Sequence, residues 1–187
     1  ARRGWNIVVA SSWPYPVAVA WRYASASFAE DRDPHSHYQR LEFVWSTIQR
    51  LLALTAVGEL TLAGEPYHRL PLDCLSKPSL GEWDRVLDAA IGATAAGGAP
   101  SSFGHWFREA HRHRKHRPRG AEFVHGAVEL LGRTAPRRRP SLRLTSLFKD
   151  LIWVRNRFAH GAPWTREQAG GIVKLLRPCV EELLADA

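Results

Sequence analysis

Most of the residue patterns that announce a function are missing from this chain. It holds only two cysteines in 187 residues, Cys74 and Cys179, and neither belongs to a Cys-x-x-Cys pair. That excludes a disulfide framework and a cysteine-built zinc site. The two read as small buried hydrophobes in a reducing compartment, with a single bridge between them as the lesser alternative. There is no methionine, and we expect the chain to be a piece of a longer protein. No stretch supplies the run of about 20 apolar residues that a membrane span requires. The uncharged segment from Gly4 to Trp21, which follows Arg2-Arg3, is interrupted by Asn6, Ser11, Ser12, Pro14 and Pro16. We therefore expect no membrane contact and a cytoplasmic location. Neither Gly-x-x-x-x-Gly-Lys nor Gly-x-Gly-x-x-Gly occurs, so the usual phosphate-cradling loops are absent.

What is present is an ordinary globular composition, 45% hydrophobic and 24% charged, long enough to bury a core as one domain over residues 1–187. The charge is uneven. From His105 to Arg143 eleven Arg and Lys face three Glu, which equals the net +8 of the entire chain, and the remainder is balanced.

Apolar residues recur with a helical period, and none of the chain alternates convincingly with the period of a strand. A short extended segment, Ile7–Ala10, precedes a helix opened by Pro16 and running to about Ala29. Asp33-Pro34 reads as a turn within a loop from Glu30 to Ser36. Leu41, Val44, Trp45, Ile48, Leu51 and Leu52 then mark a long helix from about His37 to Leu62. Ser79 caps a helix over Leu80–Ala95, and Ser101 or Ser102 opens another through Phe103, Trp106, Phe107 and Ala110. Glu122–Leu131, Ser141–His160 and Thr165–Ala185 complete the set, the last with a Thr165/Gln168 capping box. The expected fold is an all-α helical bundle.

The helix ending at His160 is the most informative. Leu147, Leu151, Val154 and Phe158 form one core stripe, and Phe148, Ile152 and Ala159 form a second apolar patch beside it. Arg155, Asn156 and His160 frame that second patch, which implies packing against a further helix of this chain or of a partner. Arg-x4-His spacing alone says little. With 22 Arg and 9 His, about one such pair arises by chance, and three occur, at Arg32/His37, Arg108/His113 and Arg155/His160. Context singles out the last: an adjacent Asn156, an amphipathic helix, the small Ala159 and a terminating Gly161.

The string Leu151-Ile-Trp-Val-Arg155-Asn156-Arg157-Phe158-Ala159-His160-Gly161 resembles the Arg-Asn-x-x-x-His signature of HEPN domains. The stretch from Pro14 to Arg22, followed by a long helix, is also similar to bacterial HEPN-like domains that lie beside larger modules. The resemblance implies a small all-α domain, a homodimer and, in active members, a metal-independent endoribonuclease of defence or toxin type with no cofactor. His160 would then serve as general acid or base, Arg155 would stabilise charge on the phosphate, and Asn156 would orient the imidazole or hold a phosphate oxygen. Phe148, Ile152 and Ala159 would meet a second copy. Cleavage would proceed by 2′-hydroxyl attack and leave a 2′,3′-cyclic phosphate. The sequence departs from one toxin subgroup in lacking a tyrosine two residues after the histidine, where Ala162 stands. The alternative implied by the same resemblance is a non-catalytic dimerisation or sensing module within a larger multidomain protein.

The basic segment admits three readings: an electrostatic footprint for RNA, a solvated loop, or a surface that docks on an acidic neighbouring domain. On the first, Arg112, Arg114, Lys115 and Arg117, with Arg157 of the motif helix, are the candidate RNA-binding cations, and Trp106 and Phe107 are available for base stacking. His111, His113 and His116 lack the cysteines or carboxylates of a zinc site, as does His35-x-His37, so no metal is expected.

Overall fold

The computed structural model describes residues 9, 12–28, 33–62, 79–96, 117–132, 142–161 and 163–185. Among these the chain forms an all-α bundle without a strand: α1 (Tyr15–Ser27), α2 (Pro34–Leu62), α3 (Leu80–Ala96), α4 (Pro118–Leu130), α5 (Leu144–His160) and α6 (Arg166–Ala185). The helix expected after Ser101 or Ser102, together with Cys74, lies outside the described residues.

Two helix starts follow the local signals. Ser79 and Glu82 form a reciprocal cap on α3, the Ser79 N–H donating to Glu82 Oε2 at 2.5 Å and the Glu82 N–H to Ser79 Oγ at 3.3 Å. Thr165 and Gln168 do the same on α6, at 3.0 and 3.1 Å. Two others start earlier than expected. α2 begins at Pro34, because proline suits the first helical position and Asp33 Oδ2 accepts the His35 N–H at 3.1 Å. The expected turn is thus a helix cap. α4 begins at Pro118 rather than Glu122, since Glu182 of α6 accepts the N–H groups of Arg119 (3.2 Å) and Gly120 (3.0 Å). Near the start, Val9 is helical and its carbonyl accepts the Trp13 N–H at 3.0 Å, which corrects the extended segment expected over Ile7–Ala10; the other residues of that segment lie outside the described ones.

The 29-residue α2 is the spine, about 43 Å long at 1.5 Å per residue. It packs against α1, α3 and α6; α4 lies on α6, and α5 touches α3 and α4. Trp45, Tyr38, Phe123, Phe148 and Leu147 are fully buried between these helices, each worth about 1.5–3 kcal/mol in transfer from water. α4 and α6 approach closely because Gly126 faces Leu175 and Gly171 faces Leu130; a Cβ at either position would stand 2.5 or 2.9 Å from the opposing leucine. The Trp13 indole N–H donates to the Leu184 carbonyl at 2.9 Å and ties the start of the described chain to its last helix. Among the described residues no helix is long and apolar enough to cross a membrane.

Candidate functional site

The motif helix α5 is fixed along its inner side. Leu147, Leu151 and Val154 are buried, as the apolar period requires. Phe158 closes that stripe by meeting Tyr38 of α2 (ring centroids 4.6 Å apart) and Trp164 in the connection to α6 (4.8 Å). His35 completes the cluster. Its ring lies 6.0 Å from that of Phe158, and its Nε2 donates to the Trp164 carbonyl at 3.1 Å. His37 is likewise engaged, with Nε2 3.0 Å from the Ser27 carbonyl oxygen. Among the described residues no three His, Cys, Asp or Glu side chains converge as a metal site.

The second apolar patch is divided. Phe148 has no exposed surface, so it serves the chain's own core and offers nothing to a second copy, which corrects its assignment to a dimer interface. Ile152 is half-buried against the core and Ala159 is exposed.

Arg155, Asn156 and His160 occupy the outer side of the same helix. The Arg155 Nε donates to Glu42 Oε1 of α2 at 3.3 Å, and its Nη1 to Asn156 Oδ1 at 3.3 Å. Asn156 and His160, one helical turn apart, are both exposed, and among the described residues the His160 ring has no hydrogen-bonding or ionic partner. Arg157 lies with its guanidinium carbon 5.6 Å from the centre of the Trp153 ring, at the outer reach of a cation–π contact. The arrangement is a linked guanidinium and carboxamide, with an exposed imidazole one turn beyond, at the end of a firmly packed helix. Such a set can bind a phosphate and move a proton.

No protein-family model, curated protein or solved structure matches the chain.

The proposed RNA-binding cations fare differently from the motif. Arg112, Arg114 and Lys115 lie outside the described residues. Arg117 is only 1% exposed, which removes it from the surface and corrects its assignment as a substrate-binding residue. It stands just ahead of α4, within electrostatic reach of Cys179, whose thiol burial pushes well up.

Two residues near Arg155 escaped the sequence. Glu42 is half-buried. Burial raises its carboxyl above the ordinary range, although Arg155, through its hydrogen bond and its charge, and Arg50 pull it back. One turn earlier, Tyr38 buries a hydroxyl that has no hydrogen-bond partner among the described residues, and burial drives the phenol strongly up, with the Glu42 charge adding to the shift and Arg155 opposing it. Nothing local marks Glu42, because its partner lies 113 residues away.

Proposed function

We propose that the chain is a HEPN-like domain acting as a metal-independent endoribonuclease of defence or toxin type, working as a homodimer in the cytoplasm beside further domains of a longer protein. The observation that carries this reading is the Arg155–Asn156–His160 row, with Asn156 and His160 exposed, Asn156 bound to Arg155 and the rigid side of α5 turned away from solvent.

In the reaction, the ribose 2′-oxygen forms a bond to the adjacent phosphorus as its proton passes to a base, and the bond from phosphorus to the 5′-oxygen breaks as that oxygen receives a proton. His160 carries one of these protons, and His160 of a second copy would carry the other. Arg155 neutralises charge on the equatorial oxygens. Ile152 and Ala159 remain available for the contact between copies.

The test is cleavage of an end-labelled RNA in EDTA by the wild type and by His160→Ala. A 2′,3′-cyclic phosphate and a 5′-hydroxyl from the wild type alone support the proposal. An inert wild type, or a mutant as active as the wild type, ends it. The second reading, a non-catalytic dimerisation or sensing module, draws on the Arg155–Glu42 ion pair, since a guanidinium satisfied by a carboxylate can serve structure alone.

A further inference from the structure

We infer that Glu42 is the positioning residue for Arg155, holding one edge of the guanidinium so that the other faces a phosphate on the Asn156–His160 side of α5. This rests on reading α5 as the phosphate-handling helix.

The geometry of the donors makes the case. A guanidinium has five N–H donors in a fixed plane. Glu42 takes the one on Nε, and Asn156 takes one on Nη1. The second Nη1 donor and both Nη2 donors are left; one Nη2 donor lies beside Nε–H on the Glu42 edge, and the other points to the end of the fork, where it can reach a phosphate oxygen. A carboxylate on Nη1 and Nη2 would compete with substrate directly. One on Nε leaves the end of the fork open while removing the freedom of a long side chain.

Glu42 is itself well held. Its Oε1 accepts from the Arg155 Nε at 3.3 Å, and 21% of its side chain is exposed. The restraint passes on to Asn156. With its carboxamide oxygen engaged by Arg155, the amide NH2 is left to act as the donor on the face it shares with His160. The groups facing Glu42 are Arg155 from α5 and Tyr38 and Arg50 from its own helix. Burial raises the Glu42 carboxyl, and the Arg155 hydrogen bond and charge oppose that shift.

The experiment compares Glu42→Gln and Glu42→Asp with the wild type in the full chain. In 15N NMR spectra the Arg155 Nε–Hε signal is assigned by its loss in Arg155→Lys. Glu42→Gln should shift this signal and speed its exchange with solvent. It should also lower kcat by about 10–100-fold, the scale of a misplaced reacting group, with a smaller change in KM. Glu42→Asp should recover part of the rate. The wild-type kcat should fall on the acid side as Glu42 is protonated, a limb that Glu42→Gln lacks. An unchanged Arg155 signal overturns the inference. So does a Glu42→Gln enzyme with wild-type kcat and pH profile while His160→Ala is dead, which leaves the proposed function standing. If the wild type cleaves no RNA, the proposed function fails separately, and binding of an uncleavable 2′-O-methyl RNA decides the positioning role. Affinity weakened about tenfold in Glu42→Gln supports it, and unchanged affinity overturns it.

Discussion

The rings of Phe158 and Trp164 meet edge to face, with centroids 4.8 Å apart and planes at 67°. Phe158 lies two residues before His160, and Trp164 is almost fully buried in the connection to α6. The contact therefore fixes the end of the motif helix independently of any ligand. Trp164→Ala removes the largest side chain of that cluster. It should lower stability by about 3–5 kcal/mol, read from urea unfolding. Trp164→Phe should lose much less and keep the end of α5 ordered in amide hydrogen exchange.

Gly161 ends α5 with extended backbone and donates its N–H to the Arg157 carbonyl at 2.9 Å. A Cβ at this position would press on that same carbonyl oxygen. Gly161→Ala should displace the last turn, which carries His160, while the core stays intact. We expect faster amide exchange at residues 158–161, a melting temperature lowered by only a few degrees, about 1 kcal/mol or less, and RNA cleavage reduced well beyond what that loss explains. Wild-type cleavage in this variant would show that the geometry of the turn is immaterial.

What could be read from the sequence was what its chemistry settles within a few residues. The Ser79 cap and the Thr165/Gln168 box act over three residues, and both form, the structure adding Glu82 as the partner of Ser79. Asp33-Pro34 illustrates an ambiguity: the same dipeptide suits a turn or the first residues of a helix, and only the Asp33 bond to the His35 N–H decides. α4 starts four residues early because its cap, Glu182, comes from a distant helix. Periodicity located two apolar faces on α5 but carried no information about what covers them, so Phe148 was open to either use. The charge count treated Arg117 as one cation of a basic run, whereas it is among the most buried large side chains. Arg155, Asn156 and His160 could be recognised as a local string. Glu42, which completes their surroundings, could not.

Asp84 gives the stability a definite pH dependence. It is buried beside Gln49, whose Nε2 lies 3.5 Å from Oδ1, and the neighbouring Lys149 is paired with Asp88 at 2.9 Å. Burial pushes the Asp84 carboxyl up to about 6, with Lys149 opposing and Asp88 adding to the shift. A carboxyl raised in the folded state favours folding when protonated. Its contribution is full below the ordinary value of 3.8 and is lost as pH rises through about 6. Asp84→Asn should therefore unfold at higher urea than the wild type at pH 7.5, with the difference shrinking toward pH 5. Parallel unfolding curves across that range would contradict this account.

Cys179 is free and fully buried in α6, where burial, with the nearby Glu182 adding, pushes its thiol far above the usual range. Only the thiolate reacts with disulfide reagents. In a Cys74→Ser background, Cys179 should resist labelling by a chromogenic disulfide at pH 8 and react at the rate of unfolding once urea is added. Rapid labelling of the native protein would mean that α6 opens locally.

Glu182 joins the last helix to the start of α4. Its two oxygens accept the N–H groups of Arg119 and Gly120, donors that would otherwise have no partner in the first turn of the helix. The carboxylate also meets the positive end of the α4 dipole. Glu182→Ala leaves both donors without a cap and should lower stability by about 1–2 kcal/mol, the range of a lost helix cap. Glu182→Gln can keep one acceptor but not the charge and should fall between. Added salt separates the two contributions: it should narrow the gap between wild type and Glu182→Gln, because it screens the dipole interaction, and leave the deficit of Glu182→Ala relative to Glu182→Gln in place. Equal stability of all three would mean that the packing of Gly126 and Gly171 alone holds α4 on α6.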